Sequence, residues 1–170
     1  MRLTCVENDL VLTSLSVDDA EELHASLQAN RVHLMRWSDY SLEINTTVGQ
    51  WRERLSEGHD LDFGMRVGDR LVGRACLLGR GPRHYGPGYW VAEPFTKRGL
   101  ATAAVGALVA HARDDLQVTD LLAGVSRGNG ASVVVLQRNG FTRVARFDTY
   151  DRYHLPVNKW GLSAASAAAL

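Results

Sequence analysis

The chain has 170 residues, which is enough for one well-packed domain and short for two. Its 45% hydrophobic and 22% charged content is typical of a folded globular protein and excludes a disordered one. Nineteen basic and nineteen acidic residues give a net charge of zero, so we expect no general attraction to nucleic acid or to an anionic membrane. We predict one domain over residues 1–160 and a low-complexity, flexible tail over 161–170.

Targeting and metal-binding patterns are missing from the sequence. No apolar run follows a basic N-terminal segment, and no apolar stretch approaches the ~20 residues of a membrane span. Cys5 and Cys76 lie far apart and form no Cys-x-x-Cys pair, so we expect both to be small core residues in a reducing compartment. No His-x-x-x-His or Cys-x-x-Cys spacing indicates a metal site. These features predict a cytoplasmic protein with no bound metal.

The sequence of the first half of the chain predicts a strand, two helices and a hairpin. Ser16 is a good helix N-cap and is followed by acidic residues, which favour a helix start. A two-residue Gly68-Asp69 link between strand-like runs is typical of a tight hairpin. The predicted elements are a strand at 10–15, helices after Ser16 and over 46–57, and strands at 62–67 and 70–78.

The second half predicts a loop, a long helix and a mixture of strands. Residues 133–135 are three valines and favour a strand, but Asn129 as N-cap and Gly140 as C′ residue favour a helix between them, which we adopt. The predicted elements are a Gly/Pro-rich loop at 79–88, strands at 89–92, 121–125, 141–144 and 147–154, and helices over 99–116 and 129–139. This order predicts one central sheet with helices on both faces.

The turn from Thr96 to Thr102 joins a predicted strand to the long helix. Gly99 allows close backbone approach to a ligand, and the first N–H groups of a helix have no internal acceptor. With the helix dipole these groups favour a phosphate or diphosphate, and Lys97 and Arg98 add positive charge. The pattern alone is equally typical of a plain strand-to-helix turn.

Four short motifs in order give the turn a context. They are Gly88-Tyr89-Trp90, Gly99-Leu100-Ala101-Thr102, Asn129-Gly130-Ala131-Ser132 and Asn139-Gly140-Phe141. With these motifs, residues 10–156 resemble the GNAT superfamily of N-acetyltransferases, and more narrowly the RimJ/RimL-like branch of ribosomal-protein alanine N-acetyltransferases. Two positions depart from the superfamily pattern: Thr96 replaces a usual Gln or Arg, and Ala103 replaces a frequent acidic residue.

The resemblance implies an α/β fold of the α+β type. This GNAT fold has a central mixed, mostly antiparallel sheet of about seven strands, flanked by helices on both faces and splayed between its fourth and fifth strands. Acetyl-CoA is the implied co-substrate, and it would lie in that splay. The implied cofactor-binding residues are Trp90, Val91, Ala92, Lys97, Arg98, Gly99, Leu100, Ala101, Thr102, Asn129 and Ser132.

The implied chemistry is direct acetyl transfer to a primary amine in a ternary complex. An amine attacks only when neutral, and a free α-amino group titrates near ~7.7–8.0, so a base is useful. Glu93 is our candidate base, although a plain surface carboxylate is nearly as good an interpretation. Ser132 is the candidate for stabilising the CoA thiolate. The N–H of Val91 or Ala92 is a candidate hydrogen-bond donor to the oxyanion.

The resemblance assigns acceptor selection to the N-terminal third of the chain. His33, Trp37, Asp39 and Tyr40 resemble the branch's segment that walls the acceptor pocket, and Tyr85 in the predicted 79–88 loop would close over it. The acceptor is a protein N-terminus or a small-molecule amine, and the enzyme a monomer or homodimer. A non-catalytic acyl-CoA-binding module is the alternative. A nucleotide-binding domain fits poorly, because Gly-x-x-x-x-Gly-Lys-Ser/Thr is missing.

Overall fold

The computed structural model describes residues 1–5, 9–58, 61–81 and 83–157 as one mixed sheet with helices on both faces. The predicted tail at 161–170 lies outside the described residues. The strands are β1 (Arg2–Thr4), β2 (Leu10–Ser14), β3 (Asp62–Val67), β4 (Arg70–Gly81), β5 (His84–Val91), β6 (Asp120–Ser126), β7 (Thr142–Arg146) and β8 (Tyr150–Pro156). The helices are α1 (Ala20–Ala29), α2 (Arg31–Leu34), α3 (Ser41–Asn45), α4 (Val48–Ser56), α5 (Leu100–Asp114) and α6 (Gly130–Arg138). Short 3-10 turns occupy Val17–Asp19 and Glu93–Phe95.

The sheet has eight strands in the order β1-β2-β3-β4-β5-β6-β8-β7. Every neighbouring pair is antiparallel except β5 with β6. The predicted fold class is therefore confirmed, with one strand more than expected because β1 had no clear sequence signal. The fourth and fifth strands of the predicted splay correspond to β5 and β6.

Two apolar cores lie on opposite faces of the sheet. Trp90 belongs to the core under α1–α4, and its neighbour Val91 to the core under α5 and α6. Because successive residues of a strand point to opposite faces, the two cores must be on opposite sides. Cys5 and Cys76 are both buried, free thiols, as predicted. His111 of α5 is also buried, and its ring is hydrogen-bonded to the Asp115 carboxylate.

The predicted loop at 79–88 is wrong, because β4 and β5 continue through most of it as a hairpin. Gly79 pairs with Tyr85, and Gly88 pairs with Cys76. A side-chain carbon at Gly88 would lie 2.9 Å from the Cys76 sulfur, so this glycine allows close packing across the hairpin. The glycines of this segment therefore allow close contact between the two strands and do not mark a long loop.

The helix predicted over 129–139 is confirmed as α6. The Asn129 side chain accepts a hydrogen bond from the Ser132 N–H at 3.2 Å, which caps the first turn. At the other end, Gly140 adopts a φ of +85°, as a C′ glycine does. The local end signals therefore decide the structure over the β-propensity of the valines.

Candidate active site

The turn before α5 has the backbone shape of an anion site. Lys97 and Gly99 have φ angles of +62° and +77°, and α5 begins directly after them at Leu100. Among the residues that the structure describes, no side chain caps this helix, and its first turn closes with the bond from Ala103 N–H to the Gly99 carbonyl at 3.0 Å. The N–H groups just before Ala103 consequently have no acceptor within the helix. The turn is open to an external anion.

Arg98 is turned away from the helix start. Its guanidinium donates to the Pro94 carbonyl at 2.9 Å and lies 4.9 Å from the centre of the Phe95 ring. The predicted contribution of Arg98 is therefore limited to its backbone, whereas exposed Lys97 lines the groove described next.

A groove of about 310 Å³ runs from this turn along α6. The α6 residues that line it recur at helical spacing and so form one face of the helix. Arg138 at the far end adds a positive charge that the sequence analysis missed. The full lining is Val91, Phe95, Thr96, Lys97, Gly99, Leu100, Ala101, Thr102, Ala131, Val134, Val135 and Arg138.

Asn139 fixes the distance between the two helices of the groove. Its amide nitrogen donates to the Thr102 carbonyl at 3.1 Å and to the Val135 carbonyl at 2.9 Å. The first turn of α5 is thus tied to the last turn of α6. This contact gives a structural reason for the Asn in the Asn-Gly-Phe motif.

β5 and β6 diverge soon after they meet. The only paired residues described are His84 with Asp120 and Tyr85 with Leu121. The Ala92 N–H donates to the Val72 carbonyl of β4 at 2.8 Å, and because peptide groups alternate along a strand, the N–H of Val91 points to the β6 side. Ala92 is therefore not available as an oxyanion donor, and Val91 is the remaining candidate.

Pro87 explains where the pairing stops. By the same alternation its nitrogen faces β6, two residues after Tyr85, but proline has no N–H to donate. The ladder between β5 and β6 therefore cannot continue past this point. The splay in the sheet is confirmed, and a proline in the sequence marks its start.

A second cavity, of about 160 Å³, lies beside the end of β5, between the segment 33–40 and the start of α6. It shares Val91, Thr96 and Ala101 with the groove, so the two spaces are contiguous. Residues from both faces of the sheet line it, which means that it passes through the sheet. The full lining is His33, Leu34, Trp37, Ser38, Tyr40, Tyr89, Trp90, Val91, Thr96, Ala101, Asn129 and Ser132.

Tyr89 and Ser132 form a pair of hydroxyl groups inside this cavity. Burial raises the pKa of Tyr89, and a side-chain hydrogen bond with Ser132 partly offsets that rise. The phenol is therefore protonated at neutral pH. Tyr89 was quoted in a motif but not predicted as a site residue, although its spacing of two from Val91 places both on one face of β5.

The N-terminal segment walls the other side of the cavity. The Tyr40 hydroxyl donates to the Tyr89 carbonyl at 3.3 Å, and burial raises the pKa of Tyr40 to about 12. Trp37 packs on Gly128, where a side-chain carbon would lie 3.1 Å from the indole. Together with His33, these residues are brought to the cavity as predicted.

Two predicted acceptor residues lie away from the cavity. Asp39 lines a separate open groove of about 640 Å³. Ser41 lowers the pKa of this carboxylate, first through its side chain and then through its N–H, which donates to Asp39 at 2.9 Å. Tyr85 sits at the paired end of β5 and β6, several residues from Val91, because the predicted loop is a strand. The structure does not bring Tyr85 to the cavity.

Glu93 lies at the end of β5, but its side chain is exposed and lines neither cavity. Its N–H donates to the buried Asn30 side chain at 2.8 Å, and the Asn30 amide donates to the Ser26 carbonyl at 2.8 Å. Asn30 thereby attaches the end of β5 to the start of α2. Nothing in the local sequence distinguishes this Asn from a helix cap.

Within the described ranges, no three or more His, Cys, Asp or Glu side chains are grouped so that they could hold a metal ion. A search of the same residues finds no helix long and apolar enough to span a membrane.

Comparison with known proteins defines the class. The model of the family described as "Acetyltransferase (GNAT) domain" matches residues 9–142, which is most of the chain. The chain belongs to this family and is an acetyl-CoA-dependent N-acetyltransferase, with acetyl-CoA as its co-substrate.

Individual relatives are of the RimJ/RimL kind. A Bacillus subtilis (strain 168) protein provisionally named ribosomal N-acetyltransferase YdaF is 27% identical over 148 residues, 81% of each chain. RimL, a ribosomal L7/L12 α-N-protein acetyltransferase solved with coenzyme A, superposes with a TM-score of 0.80 at 19% identity, covering 93% of this chain and 99% of its own. Mycobacterium smegmatis RimJ, solved with a CoA-disulfide, superposes with a TM-score of 0.78 at 21% identity, covering 92% of this chain and 87% of its own.

Proposed function

We propose that the protein transfers the acetyl group of acetyl-CoA directly to the α-amine of a protein N-terminus. The observation that carries the proposal is the pair of adjoining cavities that leads from the uncapped start of α5, past the end of β5, to the segment 33–40. The names of YdaF and RimL support a protein acceptor over a small-molecule amine. A ribosomal acceptor, as the name of YdaF suggests, would place the enzyme in the cytoplasm.

The groove along α6 would hold the cofactor. The unpaired N–H groups of Leu100, Ala101 and Thr102 would bind the diphosphate, and the Lys97 and Arg138 side chains would add positive charge. Peptide groups of β5 that face the gap, at Tyr89 and Val91, would bond the pantetheine arm as a further strand does. The Asn129 amide, which already caps α6, has its nitrogen left to donate to the same arm.

The thioester would then lie in the smaller cavity. The Val91 N–H, which faces β6, would support the oxyanion that forms when the amine adds to the carbonyl. The Ser132 hydroxyl, oriented by Tyr89, would donate to the departing thiolate. The sequence-based assignment of Glu93 as the base stays a prediction, and its exposed position gives it no support.

A panel of amines tests the proposal. Thiol release from acetyl-CoA is measured with peptides that begin with Ala or Ser, with the same peptides N-terminally blocked, and with spermidine as a small amine. The expected result is release with the free peptides alone. Release only with spermidine would favour a small-molecule acceptor. Cofactor binding without release from any acceptor would favour the non-catalytic module.

A further inference from the structure

The smaller cavity contains three titratable side chains, His33, Tyr40 and Tyr89. Burial raises the pKa of both phenols, that of Tyr40 to about 12, so neither is ionised or able to accept a proton at neutral pH. The other polar groups of the wall are hydroxyls and the Asn129 amide, which are not bases. Among the described residues that line the cavity, the His33 imidazole is therefore the one proton acceptor.

His33 lies on the side of the sheet opposite to the Tyr89 and Ser132 hydroxyl groups. Its neighbour Leu34 packs in the core under α1–α4, whereas Ser132 belongs to α6 on the other face. An amine adds to the carbonyl carbon from one direction, and the sulfur leaves in another. A base on one side and hydroxyl donors on the other match this requirement of the reaction.

The backbone around His33 is held firmly while its ring stays free. Asn30 attaches the start of α2 to the Glu93 N–H at 2.8 Å, and buried Leu34 anchors its end. In the described part of the chain, the half-buried His33 ring makes no side-chain hydrogen bond. Its ring nitrogens are consequently available to a substrate.

The charged groups near α2 do not line the cavity. The Arg36 guanidinium lies 5.5 Å from the centre of the Trp37 ring, and the Asp39 carboxylate is bonded to the Ser41 N–H. Arg31 and Glu93, which lie at the start of α2 and across from it, are exposed. Neither phenol facing the cavity carries a charge at neutral pH.

We propose that His33 is the general base of the acetyl transfer, an inference that rests on the proposed function. A ring nitrogen of His33 takes a proton from the amine as the amine nitrogen bonds to the thioester carbon. The carbonyl π electrons move to oxygen and return as the carbon–sulfur bond breaks, leaving its electrons on sulfur. The thiolate takes a proton from the Ser132 hydroxyl, which takes one from solvent in turn, and the imidazolium releases its proton to solvent. No atom is oxidised or reduced.

Two substitutions and a rescue experiment test the assignment in the full-length enzyme, with an Ala-initiated peptide as acceptor. In His33→Ala and His33→Gln, we expect kcat to fall about 10²–10⁴-fold, the range for loss of a general base. Coenzyme A should bind each variant within about twofold of the wild-type affinity, which shows that the fold is intact. Added imidazole should restore turnover to His33→Ala and should not affect the wild type.

His24→Gln is the matched histidine control. The His24 ring bonds the Thr46 carbonyl at 3.0 Å and lines neither site cavity, so its turnover should match the wild type. Wild-type turnover in His33→Gln, or loss without imidazole rescue in His33→Ala, would overturn the proposal. The proposal would also be overturned if Glu93→Gln lost turnover while the His33 variants kept it. A wild-type enzyme that acetylates no amine would overturn the proposed function, and the role of His33 with it.

Discussion

Two residues with positive φ shape the start of α5. A non-glycine residue at φ +62°, such as Lys97, is uncommon and costs about 1–2 kcal/mol in the left-handed region. Strain of this kind persists where the surrounding structure enforces it, and often at ligand sites. Here it precedes a helix start whose N–H groups have no side-chain cap.

Gly99→Ala tests this backbone. A side chain at φ +77° should destabilise the fold by about 1–2 kcal/mol and weaken coenzyme A binding at least several-fold, because the turn must shift. The control is Gly68→Ala in the β3–β4 turn, at φ +58° with no atom within 4 Å of the added carbon. Gly68→Ala should lose the same free energy of unfolding, measured by chemical denaturation. Its affinity for coenzyme A, measured by calorimetry, should be unchanged. If Gly99→Ala and Gly68→Ala bound coenzyme A with equal affinity, the assignment of the turn before α5 as the diphosphate site would be contradicted.

Ser132→Ala and Tyr89→Phe test the hydroxyl pair. Each should lower kcat by about 10–10²-fold, since either change breaks the hydrogen bond between the two hydroxyls that positions the donor to the leaving sulfur. Because the two groups act as a unit, the double variant should be no slower than the worse single variant. Multiplied losses in a double-mutant cycle of kcat would show that the hydroxyls act independently.

At the scale of elements, some features could be read from the sequence and others could not. End signals correctly predicted α6 in spite of its valines, because caps are local. The 79–88 segment was predicted wrongly, because glycine and proline there serve contacts between strands. Tyr89, Asn30 and Arg138 were missed as site residues for a related reason: their partners are distant in sequence, at Ser132, Glu93 and the α5 turn.

The β4–β5 hairpin holds the cavity wall, and Gly73 is its tightest point. An added side-chain carbon there would collide with the Trp90 carbonyl and lie 3.2 Å from the Val91 Cα. Gly73→Ala should therefore lower the free energy of unfolding by about 1–3 kcal/mol and displace β5. Gly49→Ala, with nothing within 4 Å, should instead be neutral or stabilise α4 by up to about 1 kcal/mol. Equal denaturation midpoints for both variants would contradict this packing.

The whole molecule consists of two cores separated by a sheet that is open between β5 and β6. A ligand that binds across this opening should stabilise the folded state by mass action, about 2.7 kcal/mol at a hundred times its Kd. For a chain of this size, such a gain raises Tm by roughly 5–10 °C. Pantetheine, which lacks the diphosphate, should give a much smaller shift in a thermal melt at the same concentration. An equal shift would mean that the diphosphate contributes little.

A crystal structure of the complex with coenzyme A tests the central claim most directly. The account predicts diphosphate oxygens about 2.7–3.2 Å from the N–H groups at 99–102, with the sulfur between β5 and β6 near Ser132. A complex in which the diphosphate lies elsewhere and this turn bonds only its own side chains would contradict the account.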